Sequence, residues 1–289
     1  MASFDTPVAL FVFNRPAPTR RVFERIRAQR PGTLLLIADG PRNAGERRLT
    51  DAARAAVSQI DWPCQVFRNF ADSNLGCRQR ISSGIDWVFT KVPETIILED
   101  DCVPDDSFFP FCAELLERYR ENPRVMMISG NNFQDGRQVG PASYYFSAIT
   151  HIWGWATWRR AWSHFDVRVS QWPEHREGPL LDQVFPDPAI VAYQRRALDN
   201  VHGGRVDTWD VQWAFATWLA GGLAVLPERN LVSNIGFGPE ATHTRKAASR
   251  YAAMDVEPMT FPLVHPAEPR RQIEADMRSL AEMVGERAI

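Results

Sequence analysis

Three consecutive carboxylates, Glu99, Asp100 and Asp101, follow directly on a run of apolar and β-branched residues, Thr95-Ile96-Ile97-Leu98. A short run of this kind reads as a buried strand, and Pro104 stops it soon afterwards. The acids therefore fall at the strand's carboxyl end, where open α/β sheets take their ligands. Three adjacent negative charges repel one another unless a cation sits among them. Carboxylate oxygens are hard ligands suited to Mg²⁺ or Mn²⁺, and a divalent ion carrying a diphosphate would satisfy both partners. A solvated acidic turn is the competing reading. The apolar strand directly before the acids favours a ligand site.

The elements around this strand must bring its partners to the same edge. Residues 7–13 read as a buried first strand ended by Asn14-Arg15-Pro16. Thr19 caps a helix carrying Val22, Phe23 and Ile26 at helical spacing. A second buried strand over 33–38 stops at Asp39-Gly40-Pro41, and an Ala- and Arg-rich helix follows over 44–60. A short third strand over 65–68 precedes Asn74-Leu75-Gly76 and a helix with Ile81, Ile85, Val88 and Phe89 on one face. Beyond the acids, the pattern predicts a helix over 108–120 and a strand over 125–129. Continuous apolar strands alternating with helices imply an α/β fold with a mostly parallel sheet covered on both faces. Each strand then delivers a polar cluster to one edge: Asn14-Arg15, Asp39-Gly40 and Glu99-Asp100-Asp101. No G-x-G-x-x-G follows the first strand and no G-x-x-x-x-G-K-[ST] occurs, which disfavours dehydrogenases and P-loop enzymes.

From about Tyr144 the pattern changes. Trp153-Gly154-Trp155 precedes a helix expected from Ala156; a loop-rich stretch covers 173–188; helices are expected over 190–201 and 209–220. Gly221-Gly222 ends the last of these before a strand over 223–227. After Ser233 the chain reads as a surface-wrapping tail with an amphipathic helix over 271–283. Eight of the 10 tryptophans lie between Trp153 and Trp218, where indole rings would serve as core or as stacking surfaces for sugars.

Composition excludes several classes. The 33 Lys plus Arg nearly balance 35 Asp plus Glu, which leaves a net charge of −2 and no electrostatic footprint for nucleic acid or an anionic membrane. No apolar run approaches the roughly 20 residues of a membrane span, and Met1-Ala2-Ser3-Phe4-Asp5 does not begin a signal peptide. A cytoplasmic protein, at most peripheral at the inner membrane, is expected. Cys64, Cys77, Cys102 and Cys112 lack metal spacing and read as reduced, mostly buried side chains.

Taken in order, these features resemble a GT-A (Rossmann-like) glycosyltransferase. The marks are the Glu99-Asp100-Asp101 triplet after Ile-Ile-Leu, the following Val103-Pro104-Asp105 and Phe108-Phe109, and Arg80 four residues before Gly84. Trp209-Asp210 with Trp213 completes them. The family is that of N-acetylglucosaminyltransferase I and of bacterial family 2, hemolysin-like glycosyltransferases, and the likeness spans roughly 5–240. It implies a single large domain: a nucleotide-sugar half over 1–130, an acceptor and catalytic-base half over 131–240, and a C-terminal tail over 241–289. One departure is that Asp210 is followed by Val211, where the family has a second acid.

The resemblance implies a role for each site residue. Asp101 would ligate Mn²⁺ or Mg²⁺, Asp100 would contact the ribose, and Glu99 would either contact the donor sugar or orient Asp101. Asp39 would accept the N3 proton of uracil, unless it only forms the turn before Gly40. Phe13, Asn14 and Arg15 would line the base and ribose, with a simple carboxylate pairing as the alternative for Arg15. Arg80 would contact the nucleotide or its phosphates, or else remain a surface arginine. Asp210 would be the general base of an inverting displacement, with Asp207 as back-up base or as a helix N-terminal charge. Trp153, Gly154 and Trp155 would wall the donor sugar or acceptor, or simply pack. His243 would return as a late metal ligand, and 236–239 would form a lid.

The expected activity is transfer from a UDP-sugar, UDP-GlcNAc-like, to a hydroxyl on a glycan, lipid-linked or protein acceptor in surface-polysaccharide synthesis. Three other readings remain. A sugar-nucleotide nucleotidyltransferase shares the sheet but carries a Gly-rich basic loop where this chain has Asn14-Arg15-Pro16-Ala17-Pro18. A catalytically silent carbohydrate-binding protein would use the tryptophans as its stacking surface. A nucleotide-sugar hydrolase also uses clustered acids.

Overall fold

All five residues of β1 (Val8–Val12) are buried, so this strand needs cover on both faces and a neighbour on each side. In the computed structural model, which describes residues 4–238 and 249–288, it gets both. β2 (Thr33–Ala38) pairs parallel to it on one side and β4 (Glu94–Glu99) parallel on the other, so that Leu10 lies between Leu36 and Leu98. β3 (Gln65–Phe70) extends the parallel half beyond β2. It runs two residues longer than expected, because Asn69 and Phe70 pair with Ile37 and Ala38. The helices α1 (Pro16–Gln29), α2 (Ala44–Ala56) and α3 (Cys77–Phe89) make the crossovers. α1 starts on Pro16 rather than after Thr19, so the expected cap lies inside the helix, where Thr19 is buried with Val22, Phe23 and Ile26.

A short β5 (Cys102–Pro104) leaves the acid triplet, and α4 (Phe108–Tyr119) buries its phenylalanines. The sheet then continues through β6 (Val125–Ser129), β7 (Tyr144–Ser147), β8 (Trp155–Trp158) and, later in the chain, β9 (Leu223–Pro227). Its order is β3-β2-β1-β4-β8-β6-β9-β7, eight strands with helices on its faces. β8 lies antiparallel to both β4 and β6, β9 parallel to β6, and β7 antiparallel to β9.

The helix expected from Ala156 is therefore corrected. Trp155, Ala156, Thr157 and Trp158 form a strand with all four side chains buried, and the helix α5 (Arg159–Trp162) begins only after it. The stretch read as loop-rich carries two single-turn helices, α6 (Trp172–His175) and α7 (Leu180–Val184). α8 (Pro188–His202) and α9 (Asp210–Leu219) close a second apolar cluster that includes Trp172, Leu181, Phe185, Leu198, Phe215 and Trp218.

β10 (Val232–Asn234) pairs antiparallel to β5, with Asn234 opposite Cys102. This ribbon lays the following residues across the acid triplet, and the Ile235 amide donates to the Asp101 carbonyl at 2.9 Å. α10 (Ile273–Ala288) returns the tail to β7. Buried Asp276 accepts from Ser147 Oγ at 2.5 Å, from the Ala148 amide at 3.0 Å and from Arg271 at 2.6 Å. Cys102 and Cys112 are buried, Cys64 and Cys77 partly so, and all four are free thiols. No helix among the described residues is long and apolar enough to cross a membrane.

Candidate functional site

The carboxyl ends of β1, β2 and β4 meet at one edge because Val12 is in register with Ala38, and Phe11 with Glu99. The chain then turns sharply after β1. Pro16 begins α1, and the Arg15 carbonyl accepts from Thr19 Oγ1 at 2.7 Å and from its amide at 3.0 Å. Arg15, fixed at this point, reaches across to β4. One Nη donates to Asp100 Oδ1, and the other stands 2.9 Å from Asp101 Oδ2. The Phe13 amide donates to the other Asp100 oxygen at 3.1 Å.

A single guanidinium thus faces three carboxylates. Burial, then the charges of Asp101 and Asp100, push the Glu99 carboxyl up to about 8. Burial likewise lifts Asp100, to about 6, against the pull of Arg15. Burial, and then the charges of Glu99, Asp210 and Asp207, also raise the partly exposed Cys77 thiol, which stays protonated. The edge remains short of positive charge.

Two cavities open on either side of this row. The first, about 750 Å³, is lined by Phe13, Asn14, Asp39, Arg42, Glu46 and Arg80 among others. The second, about 450 Å³, takes in Asp101, Trp153, Asp210 and the inner side of α8. Both are walled by Arg15, Cys77 and Glu99, so the acid row is the seam between them. Their sizes fall in the range of small-molecule sites.

The structure brings most of the expected residues to this seam. In the larger cavity, Asn14 Nδ2 donates to Glu46 at 2.6 Å, and the Phe13 ring lies under the Arg42 guanidinium at 5.4 Å. Asp39 is well occupied: Oδ1 accepts from the amides of Gly40 and Leu75 at 2.8 and 2.9 Å, and Oδ2 from Asn74 at 2.7 Å. Burial raises the pKa of this carboxyl, although the amides of Leu75, Gly40 and Gly76 favour its charged form. Arg80 is not a surface arginine; it is buried and donates to the Asn69 carbonyl at 3.3 Å, while its Nε has no partner. Burial lowers its pKa against the pull of Asp39.

In the smaller cavity, Asp210 opens α9 and accepts from Thr208 Oγ1. Asp207 lines the other cavity, and both of its oxygens are taken by the Cys77 and Arg78 amides at 3.0 and 3.1 Å. It caps α3 from 130 residues away rather than its own helix. Trp153 reaches the cavity and packs edge-on against Phe237 at 5.5 Å between ring centroids. Gly154 lies against Val232, so its missing side chain makes room for protein rather than ligand. Trp155 lines neither cavity. It is stacked on Trp209 at 5.6 Å beneath the site. His243 lies outside the described residues, as does Pro239 of the expected lid.

Seven of the eight tryptophans between 153 and 218 are buried, and only Trp153 is partly open. Of these eight indoles, Trp153 alone is left to stack on a ligand. The other rings are core.

Several lining residues escape the sequence reading. Glu46 and Arg42 were signalled by the Asn43-x-x-Glu46 spacing, in which Asn43 Oδ1 caps the Glu46 amide at 3.1 Å. Tyr193, Arg196 and Asn200 of α8 had no local signal, because only the packing of α8 beside α9 brings them to the cavity.

Whether these residues suit a divalent cation follows from the donor set. No three His, Cys, Asp or Glu side chains among the described residues converge into a cage. Glu99, Asp101 and Asp210 nevertheless line one cavity with hard oxygens. The set fits a Mg²⁺ or Mn²⁺ ion that draws most of its ligands from a bound diphosphate.

No protein-family model and no curated protein matches the sequence. Among solved structures, the chain is similar to a UDP-glucose pyrophosphorylase complexed with UDP-glucose, at 7% identity over 77% of this chain and 90% of that one, TM-score 0.36. It is similar also to a cytidylyltransferase from Leptospira borgpetersenii, at 11% identity over 66% and 73% of the two chains, TM-score 0.33. HddC from Yersinia pseudotuberculosis matches at 11% identity over 53% and 76%, TM-score 0.31. At these scores the likenesses carry no argument about chemistry.

Proposed function

We propose that the chain is a divalent-metal-dependent, inverting glycosyltransferase that uses a UDP-sugar. The observation that carries this reading is the pair of adjoining cavities with the acid row at their seam and Asp210 in the second. A nucleotide sugar is a molecule of that layout: base and ribose at one end, a diphosphate in the middle, a sugar beyond it. The nucleoside occupies the cavity of Phe13, Asn14, Asp39 and Arg80, with Asp39 Oδ2 accepting from uracil N3 beside its bond from Asn74. The sugar lies beside Trp153 and Glu99, and the acceptor enters along α8. Residues 1–130 thus serve mainly the donor, 131–240 the acceptor.

Asp101 would hold the cation, whose chemistry is to neutralise the departing diphosphate. Asp210 takes the proton of the acceptor hydroxyl while that oxygen bonds to the anomeric carbon. The bond from this carbon to the diphosphate breaks, the configuration inverts, and UDP leaves. Asp207, bound to the start of α3, holds the seam in shape rather than moving the proton.

A nucleotidyltransferase would instead bring a nucleoside triphosphate and a sugar 1-phosphate to the same edge. The turn after β1 speaks against it, since Asn14-Arg15-Pro16-Ala17-Pro18 stands where a Gly-rich loop would wrap a triphosphate. The two readings separate in one assay: the protein with Mn²⁺ is given UDP-sugars with an acceptor panel, and in parallel UTP with sugar 1-phosphates. The expected result is acceptor-dependent UDP release. Pyrophosphate from the second mixture, with no UDP from the first, would overturn the proposal. UDP or sugar release that no acceptor accelerates would make the protein a hydrolase.

A further inference from the structure

We propose that Arg15 is the resident cation of the acid row and excludes a divalent ion from Asp101 until a nucleoside diphosphate draws it away. The inference rests on the donor-site reading above, and it concerns the order in which that site fills.

Each of the four oxygens of Asp100 and Asp101 already has a donor. Asp100 Oδ2 accepts from the Phe13 amide at 3.1 Å, and Asp100 Oδ1 accepts from Arg15. Asp101 Oδ2 has the other Arg15 nitrogen at 2.9 Å, and Asp101 Oδ1 has the Cys102 thiol at 3.4 Å. Space is equally short. Gly236 passes directly over the pair, and a Cβ there would stand 1.8 Å from Asp101 Oδ2 and 2.8 Å from the Arg15 Nη1. A cation approaching Asp101 Oδ2 therefore meets the Arg15 guanidinium on the same oxygen, under the Gly236 backbone. The Phe13 amide belongs to the backbone after β1, and Cys102 is locked in β5. Arg15 is the one long, rotatable side chain among them.

The place it would move to is on the page as well. Arg15 lines both cavities, at the seam where a diphosphate linking nucleoside to sugar would cross. A planar guanidinium binds phosphate oxygens in the same forked manner as carboxylates. Arg15 therefore exchanges two carboxylates for the diphosphate, and Asp101 is released to ligate the metal. Metal and nucleotide then favour one another by the same factor in either order of addition. Without nucleotide, the guanidinium competes with the metal for the same oxygens.

The test is Mn²⁺ binding in the absence of nucleotide, followed by calorimetry or by the loss of the free-ion spin-resonance signal. The intact chain is compared with Arg15→Gln, with Arg15→Lys and with Arg15→Gln/Asp101→Asn, each checked for folding by circular dichroism. Arg15→Gln is expected to bind Mn²⁺ about tenfold more tightly than the wild type. Arg15→Lys falls between the two, and Asp101→Asn abolishes the gain. Adding UDP should tighten Mn²⁺ binding to the wild type far more than to Arg15→Gln. Equal or weaker Mn²⁺ binding by both single Arg15 variants overturns the proposal. A wild type that binds no UDP with or without Mn²⁺ defeats the donor-site reading instead. The Mn²⁺ gain of Arg15→Gln would in that case still hold Arg15 to be the competing cation.

Discussion

Asp210→Asn is expected to lower turnover by roughly 10²–10⁴-fold, the usual contribution of a positioned general base. UDP affinity should stay within about twofold, because the residue lines the smaller cavity and not the one proposed for the nucleoside. The amide keeps the shape of the carboxylate and can still accept from Thr208 Oγ1, so the start of α9 should survive the change. What is lost is the ability to take a proton. Asp207→Asn provides the contrast. Its carboxylate caps the Cys77 and Arg78 amides, so that variant should lose stability of about 1 kcal/mol and keep most of its turnover. Steady-state rates with saturating donor, together with UDP titration of each variant, decide between the two acids. If turnover collapses in Asp207→Asn and not in Asp210→Asn, the assignment is reversed.

Trp213→Ala should destabilise the fold by about 3–5 kcal/mol, as truncation of a fully buried aromatic does. Trp213 has no exposed surface and packs against Trp155 and Trp162 at 5.8 and 5.2 Å between ring centroids. Its indole nitrogen lies 3.3 Å from the Met127 sulfur, in the strand next to β8. The cluster joins α9, which carries Asp210, to the sheet that carries the acid row. Its loss should lower the melting temperature by roughly 10 °C and loosen Asp210 before the chain unfolds. Thermal and urea melts measure this. A change below about 1 kcal/mol would mean that the indole is not core.

The parallel half of the sheet was legible because β1, β2 and β4 are apolar on both faces and end in polar residues. That one pattern located Asn14, Arg15, Asp39 and the triplet together. β8 was not legible. Trp155-Ala156-Thr157-Trp158 is too short for its period to separate strand from helix, and the antiparallel partners that settle it lie in β4 and β6. The bond from Asp207 to α3 spans 130 positions, and that from Arg15 to Asp100 spans 85. Composition marked these side chains as chemically able, while only the fold says which of them are already engaged. For the tryptophans, the sequence allowed core or sugar platform, and burial decides for core at every one from Trp155 to Trp218.

The most direct measurement is titration calorimetry of UDP, CDP and GDP, each with Mn²⁺ and with chelator, on the wild type and on Asp101→Ala. The expected result is UDP binding that requires both the metal and Asp101, with CDP and GDP at least about tenfold weaker. Absence of nucleotide binding under every condition, or UDP binding indifferent to both the metal and Asp101, would contradict a metal-dependent nucleotide-sugar transferase.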